Sequence, residues 1–116
     1  MNVVMQMQHK YDPETCQQLI EEKIDLPFFR VICDPVRSNL ILFLASNGEM
    51  TISEIAAEFP QNRSVISRHL DLLYRYQVVQ RRKAGREIYY QANAQVVADK
   101  FADAAVNMKA LLSLPH

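Results

Sequence analysis

The chain has 116 residues, of which 49% are apolar, and its formal net charge at pH 7 is zero. This size and composition predict one compact domain over residues 12–116, preceded by a flexible arm at residues 1–11. No apolar run approaches the roughly 20 residues that a membrane-spanning helix needs, and the N-terminus does not resemble a secretory signal. Two cysteines are too few for a disulfide scaffold, so we expect a cytoplasmic protein with no membrane partner.

Two Asp-Pro pairs, at residues 12–13 and 34–35, predict the starts of two helices. Aspartate is a good N-cap acceptor, and proline fits the first helical position. The first pair opens a helix over residues 12–24. A second apolar stripe follows Pro27, and its members are Phe29, Ile32, Cys33 and Val36. The second pair opens a helix that apolar residues nearly encircle, so we place this helix in the centre of the core.

A helix-turn-helix is predicted next in the chain. Thr51 or Ser53 caps its first helix, and Pro60 prevents that helix from continuing. Asn62 caps the second helix, whose apolar stripe is Ile66, Leu70 and Leu73. The other face of this helix carries mainly hydroxyl and guanidinium groups, from Ser64, Ser67, Arg68, Asp71 and Arg75. Such a helix can pack on a core with one face and reach base edges and phosphates of DNA with the other.

A basic hairpin is predicted after this helix, with strands at residues 78–83 and 86–91 joined near residues 84–85. Residues 61–92 contain seven Lys or Arg against two Asp or Glu, whereas residues 1–60 contain four against nine. The positive charge is therefore concentrated on the second helix and the hairpin, which is typical of a surface that binds a polyanion. The alternative is a solvated basic face without a partner.

The last predicted helix covers residues 95–112. Its apolar residues recur at intervals of four and three, at Val97, Phe101, Ala104, Met108 and Leu111. This stripe is more than a small domain needs to cover itself, so it predicts a dimer interface. We expect Leu19 and Ile20, on the helix over residues 12–24, to share that interface. The alternative is an ordinary amphipathic helix that packs on its own core.

Four segments, in order, resemble the ArsR/SmtB family of bacterial winged-helix repressors. They are CDPVRSNLIL at 33–42, SEIA at 53–56, SVISRHL at 64–70 and RKAGREIYY at 82–90, within a match over about residues 28–92. The resemblance implies a mainly α fold with a small β-hairpin wing. This is a winged helix-turn-helix in the order α-α-α-α-β-β-α, with an additional N-terminal helix. It also implies a homodimer that binds an inverted-repeat operator in double-stranded DNA and represses its promoter until an inducer arrives.

Two residues depart from the pattern of the family. Gln77 stands where the family usually has glycine after the recognition helix, so we expect a non-glycine residue at the C′ position there. Asp71 stands where a basic residue is common. We expect it to pair with Arg68 or Arg75 on its own helix. The alternative is that Asp71 accepts a hydrogen bond from a cytosine amino group.

The metal sites that the resemblance would imply are not present in the sequence. Residues 49–54 contain no cysteine, and the last helix offers Asp99 and Asp103 with His116 as the only nearby imidazole. Carboxylates alone are poor ligands for zinc, which prefers nitrogen and sulfur in a tetrahedral arrangement. We therefore expect no metal site and no cofactor.

The two cysteines, Cys16 and Cys33, both lie on predicted apolar stripes. One interpretation is that both are small buried hydrophobic residues. The other is a thiol switch, in which oxidation or soft-metal binding joins the two N-terminal helices and reshapes the dimer interface.

The predicted function is a sequence-specific, DNA-binding transcriptional repressor, which an inducer acting on the thiols could release. Contacts to DNA are expected from the second helix of the helix-turn-helix and from the wing, at Arg63, Ser64, Ser67, Arg68, His69, Arg81, Arg82, Lys83 and Arg86. His69 could instead be a packing residue. The alternatives are a winged helix for protein–protein contact without DNA binding, and a metal- or metalloid-responsive repressor with a non-standard site. We expect no enzyme, because no nucleophile–base pair or glycine-rich phosphate loop is present.

Overall fold

The computed structural model describes residues 12–114, so the predicted arm at residues 1–11 lies outside the described residues. The described chain is mainly helical with one small sheet, which confirms the predicted fold class. Its elements are α1 (Pro13–Lys23), α2 (Leu26–Cys33), α3 (Pro35–Asn47), β1 (Met50–Thr51), α4 (Ile52–Ala57), α5 (Arg63–Arg75), β2 (Val79–Ala84), β3 (Glu87–Ala92) and α6 (Ala94–Leu112).

The chain divides into two compact units. The winged-helix unit is residues 27–98, which include α3, the helix-turn-helix formed by α4 and α5, and the hairpin. The terminal unit combines residues 12–26 with residues 99–114 of the described chain. The prediction of one domain over residues 12–116 stays a prediction.

The helix starts follow the capping chemistry that the sequence predicts. Three side chains accept hydrogen bonds from backbone N–H groups two or three residues further on: Asp12, Asp34 and Asn62. Thr51, rather than Ser53, caps α4, and it forms a capping box with Glu54. Each cap satisfies N–H groups that have no partner inside the helix, so the helix boundaries are set locally.

The core lies in the winged-helix unit, and α2, α3, α4, α5 and both wing strands contribute side chains to it. The fully buried side chains are Phe28, Leu40, Leu44, Ile55, Ile66, Leu70, Leu73, Val78 and Val79. The predicted stripe of α5 is therefore confirmed. The placement of α3 against the core is confirmed, because Leu40 and Leu44 are buried and Ile41 and Phe43 pack against the core. The helix is not enclosed on all sides, since Leu42 is 65% exposed. One face of α3 covers the core, and the opposite face meets solvent.

The buried positions of α2 lie one residue before those of the apolar stripe predicted around residues 29–36. Phe28 and Val31 are the buried residues of α2, and Cys33 is exposed. These positions follow helical spacing, which places Cys33 nearly opposite the buried pair. The helix also ends at Cys33, because Asp34 is already the cap of α3. The interpretation of Cys33 as a buried hydrophobic residue is therefore wrong.

The sheet has three antiparallel strands in the order β1-β3-β2. The two wing strands lie one residue later than predicted and are joined at Gly85, whose φ of 62° favours glycine. The short strand β1 was not predicted, because two residues show no alternation. It pairs with β3 only at Tyr89 and Tyr90. The hairpin beyond these two residues is thus a two-stranded ribbon.

The end of α5 confirms the expectation for Gln77, which has a φ of 64°. Its N–H donates to the Tyr74 carbonyl at 2.9 Å, and the N–H of Val78 donates to the Leu73 carbonyl at 2.9 Å. This pair of bonds is a Schellman motif, and Leu73 and Val78 are both buried beside it. The motif directs the chain from α5 into the wing through a left-handed residue that is not glycine.

We predict that Gln77→Gly raises the free energy of unfolding by about 0.5–1 kcal/mol. A left-handed non-glycine residue costs roughly 1–2 kcal/mol, and the larger entropy of glycine in the unfolded chain offsets about half of that gain. Urea denaturation measures the change, with Gln77→Ala as the control that keeps the strained backbone. Equal stability of the glycine and alanine variants would contradict the prediction.

Candidate nucleic-acid interface

The outer face of α5 is cationic. Arg68 and Arg75 are exposed and lie opposite the buried stripe by helical spacing. Within the described chain, neither side chain forms an ion pair. Ser67 and His69, which are half-buried, lie on the two flanks of this face. Of the predicted contact residues of α5, Ser64 and Arg68 therefore lie on the exposed outer face, and Ser67 and His69 lie beside it.

The first turn of α5 is held in place by its cap. The Asn62 Oδ1 atom accepts from the Val65 N–H at 3.0 Å and from the Ser64 hydroxyl at 2.7 Å. The Arg63 guanidinium donates to the Ser53 hydroxyl of α4 at 3.2 Å. Both predicted contact residues of this turn are exposed, but each already has a partner that fixes its direction.

A residue of α3 that was not predicted also belongs to this surface. Arg37 donates through Nε to the Val31 carbonyl at 2.7 Å, and its Nη1 lies 3.3 Å from Nδ1 of His69. Because arginine can only donate, this contact uses His69 Nδ1 as an acceptor and leaves the ring proton on Nε2. His69 is thus tied to α3 and half-buried.

Asp34 completes this small network at the start of α3. The Arg37 backbone N–H, which donates to the Asp34 carboxylate, holds the pKa of that carboxyl below its usual value, and the charge of Arg37 acts in the same direction. Partial burial opposes this shift. Arg37, Arg68 and Arg75 line one groove along α5. Only the packing of α3 on α5 brings Arg37 to this groove, so spacing in the sequence could not indicate it.

The first wing arginine, Arg81, packs against α5. Its Nη1 lies 3.1 Å from the Asp71 carboxylate, and its guanidinium stacks 3.9 Å from the centre of the Tyr74 ring. The expectation that Asp71 pairs with Arg68 or Arg75 is therefore wrong. Asp71 and Arg75 are neighbours on α5 by helical spacing, but the Asp71 carboxylate contacts the wing arginine and neither of the helix arginines.

The second wing arginine, Arg82, is held by Glu49, which precedes β1. Two guanidinium nitrogens donate to the two carboxylate oxygens, each at 2.7 Å, and the group also lies 4.6 Å from the centre of the Tyr89 ring. This bidentate contact raises the pKa of Arg82 and lowers the pKa of Glu49. Glu49 was not predicted as part of the site, because its partner lies 33 residues away.

The wing tip carries the remaining positive charge. Lys83 and Arg86 flank the turn at Gly85, and both are exposed. Among residues 12–114, neither forms an ion pair. The four predicted contact residues of the wing therefore fall into two kinds, with two cations held by acids at its base and two available at its tip.

The His, Cys, Asp and Glu side chains of residues 12–114 do not form a metal-binding group. Within the described part of the chain, no group of three or more His, Cys, Asp or Glu side chains could hold a metal ion. Cys16 is half-buried in the terminal unit and Cys33 is exposed in the winged-helix unit, and both are free thiols. The absence of a metal and of a cofactor stays a prediction.

The predicted dimer residues lie mostly in the terminal unit, on helices that bury little. Within the described residues, neither α1 nor α6 contains a buried side chain. Phe101 and Met108 are each 54% exposed, Ile20 is 37% exposed, and Leu19, Ala104 and Leu111 are half-buried. Val97 belongs instead to the winged-helix unit and packs against its core. An apolar surface is therefore present on the terminal helices.

The ends of the terminal helices are joined by polar contacts within their own unit. The Lys100 ammonium lies 2.6 Å from the Asp25 carboxylate, and the Asn107 amide donates to the Lys23 carbonyl at 2.8 Å. These contacts hold the end of α1 and the residues after it beside the middle of α6. No helix in the described residues is long and apolar enough to cross a membrane.

A helix-turn-helix with a cationic outer face, followed by a basic hairpin, defines a winged helix-turn-helix regulator. The chain belongs to the arsR family of bacterial regulatory proteins. The family model described as "Bacterial regulatory protein, arsR family" matches residues 34–80. The family consists of transcriptional regulators that bind DNA and not of enzymes, as the sequence predicts.

Relatives and solved structures agree with this assignment. The chain is 38% identical over 71 residues to the transcriptional repressor SdpR of Bacillus subtilis (strain 168), a match that covers 61% of this chain and 78% of SdpR. A crystal structure of a possible transcriptional regulator for arsenical resistance is similar with a TM-score of 0.60 and 39% identity, over 65% of this chain and 77% of that chain.

A more distant structure supports the fold over a longer part of the chain. The transcriptional regulator HlyU from Vibrio vulnificus CMCP6 is 21% identical, with a TM-score of 0.57. The similarity covers 83% of this chain and 98% of HlyU. This likeness concerns the fold alone.

Proposed function

We propose that this protein is a sequence-specific transcriptional repressor that binds an inverted-repeat operator as a homodimer. The observation that carries the proposal is the exposed arginine face of α5, held outward by a fully buried apolar stripe on the same helix. Membership of the arsR family supports DNA binding. The relative SdpR is named a transcriptional repressor, and we extend that role to this chain.

The central base contact is assigned to Arg68. Its side chain is exposed in the middle of the outer face, and a guanidinium can donate two hydrogen bonds to the O6 and N7 atoms of guanine in the major groove. Ser64 and Ser67 lie in the first and second turns of α5, where hydroxyl groups can reach bases or phosphates. Arg63 and His69 contact phosphates at the margins of this face. In this arrangement α5 supplies sequence discrimination.

The wing supplies contacts that do not depend on sequence. Lys83 and Arg86 at its tip are positioned to approach the phosphate backbone beside the groove that α5 occupies. Arg81 and Arg82 are part of the predicted contact set, but each is already engaged by a carboxylate.

We predict that Arg68→Ala reduces discrimination between an operator and a scrambled duplex by about 1–3 kcal/mol, because a bidentate base contact is lost. The duplex is first selected from a random-sequence pool with the wild-type protein. Fluorescence anisotropy then measures affinity for the selected and the scrambled duplex.

The matched control for Arg68 is Lys83→Ala, which removes one positive charge from the wing tip. We expect Lys83→Ala to weaken binding to the selected and the scrambled duplex by the same factor. Unchanged discrimination by Arg68→Ala would contradict the base contact. Salt-independent or absent duplex binding by the wild type would favour a winged helix used for protein–protein contact.

The proposed homodimer would form through the terminal unit. Its apolar side chains include Phe101 and Met108, which are more than half exposed, and a second copy of the same surface would cover them. An interface between identical surfaces has two-fold symmetry, so the two α5 helices would meet two half-sites of opposite orientation. This symmetry is why an inverted repeat is the expected operator.

We expect Met108→Glu to convert the protein from dimer to monomer at micromolar concentration, because a carboxylate would be buried without a partner in the interface. Sedimentation equilibrium measures the mass. Lys109→Glu, at an exposed neighbouring position outside the apolar stripe, should remain dimeric. A monomeric wild-type protein, or a dimeric Met108→Glu variant, would refute this interface.

A thiol switch is the proposed means of release. Cys33 is exposed at the end of α2 and directly precedes Asp34, the cap of α3. An oxidised or metal-bound group at this position would disturb the start of the helix that carries Arg37 to the surface beside His69. Cys16 is the second thiol, and its half-buried position on α1 links the same chemistry to the proposed dimer surface.

We expect peroxide or arsenite to lower the DNA affinity of the wild type and to leave a Cys16→Ser, Cys33→Ser double variant unaffected. Divalent metals are titrated in parallel, which tests the alternative of a metal-responsive repressor. If wild-type affinity does not change with any of these reagents, the thiol switch is excluded.

A further inference from the structure

Two consecutive arginines of β2 each hold a carboxylate and an aromatic ring, but on different elements. Arg81 contacts Asp71 and Tyr74, which both belong to α5. Arg82 contacts Glu49, directly before β1, and Tyr89 of β3. Successive residues of a strand point to opposite faces, so one strand can bind one element on each side. We call these two sets of contacts the wing clamps.

The wing clamps lie where the ribbon leaves the sheet. Arg81 is paired across the hairpin with Tyr90, and Arg82 with Tyr89. The same two tyrosines are the residues of β3 that pair with β1. Beyond them only β2 and β3 are paired, and a two-stranded ribbon is marginally stable by itself. The clamps therefore act on the base of the ribbon and set the angle at which it projects.

We propose that Arg81 and Arg82 are positioning residues, which fix the wing against α5 and β1, and that the phosphate contacts of the wing come from Lys83 and Arg86. This inference rests on the proposed DNA-binding function. It divides the four predicted contact residues of the wing into two roles, with Arg81 and Arg82 at its base and Lys83 and Arg86 at its tip. It also gives Asp71, the acidic departure from the family pattern, a defined task.

Charge supports this division of roles. The bidentate contact of Arg82 with Glu49 occupies the Nε–Nη2 edge of the guanidinium, at 2.7 Å for each hydrogen bond, and balances its positive charge. A phosphate contact by Arg82 would therefore bring the Glu49 carboxylate close to the DNA backbone, and the repulsion between the two anions opposes it. Lys83 and Arg86 have no such competitor within the described residues. The tip cations can therefore approach a phosphate without bringing a carboxylate with them, whereas Arg81 and Arg82 cannot.

The Arg81 clamp connects the wing to the helix that reads DNA. Asp71 and Tyr74 lie one turn apart on α5, and the guanidinium of Arg81 lies against both. The distance between the outer face of α5 and the wing tip is thereby fixed before DNA arrives. Preorganisation of this kind reduces the ordering that binding would otherwise require.

The first experiment measures how DNA affinity depends on salt, using the full-length protein and a random-sequence duplex. Each lost phosphate contact reduces the magnitude of the slope by about 0.9, when the logarithm of the association constant is plotted against the logarithm of the salt concentration. Arg86→Gln and Lys83→Gln should each show this loss. Arg81→Gln and Arg82→Gln remove the same charge and should keep the wild-type slope while weakening binding by about threefold.

The second experiment is a double-mutant cycle of Glu49→Gln and Arg82→Gln. If Arg82 acts through Glu49, both single variants weaken DNA binding and the double variant is no weaker than either. If Arg82 binds phosphate, Glu49→Gln strengthens DNA binding because a competing negative charge is removed. Arg82→Gln then weakens DNA binding by the same factor in the wild type and in the Glu49→Gln variant. The sign of the change in DNA affinity caused by Glu49→Gln therefore distinguishes the two roles. Circular dichroism verifies that each variant is folded.

The possible results distinguish the inference from the function on which it rests. A wild-type protein without salt-dependent duplex binding would overturn the proposed function. Wild-type binding with a reduced slope for Arg82→Gln, or a gain in affinity for Glu49→Gln, would overturn the wing clamps alone. The expected result is that Arg81→Gln and Arg82→Gln keep the wild-type slope, and that the effects of Glu49→Gln and Arg82→Gln on DNA affinity are not additive.

Discussion

The burial of one apolar stripe determines how this molecule presents its charge. Ile66, Leu70 and Leu73 are fully buried, and they fix the rotation of α5 about its own axis. Since residues of a helix keep a constant angular relation, Arg68 and Arg75 are then necessarily directed outward. Complete burial of three such side chains contributes several kcal/mol to folding. The functional face is thus held in place by hydrophobic burial on the opposite side of the same helix.

Much of this arrangement could be predicted from the sequence because it depends on local chemistry. The caps Asp12, Asp34 and Asn62 act within three residues of themselves, and the stripe of α5 follows helical spacing. The left-handed conformation of Gln77 was also expected from its position after the helix. These features depend on neighbours in the chain, so a single sequence contains the information for them.

What could not be predicted depends on pairings between distant segments. Arg82 and Glu49 meet only because β1, two residues long, adds to the hairpin. Asp71 was assigned a partner on its own helix, since spacing reveals helical neighbours and not the approach of a strand. The error at Cys33 has a different origin, because the rest of its predicted stripe, Phe29, Ile32 and Val36, does pack against the core, and Cys33 alone is exposed at the end of α2.

The Schellman motif at Gln77 has a mechanical consequence for the joint between α5 and the wing. If the two capping hydrogen bonds weaken, a glycine at this position could move through many backbone conformations. The side chain of glutamine leaves the backbone fewer conformations to adopt. The side chain thus exchanges some folding stability for a stiffer joint. A regulator that must place a helix and a ribbon on two separate parts of one DNA surface gains from that stiffness, because less motion remains to be lost on association.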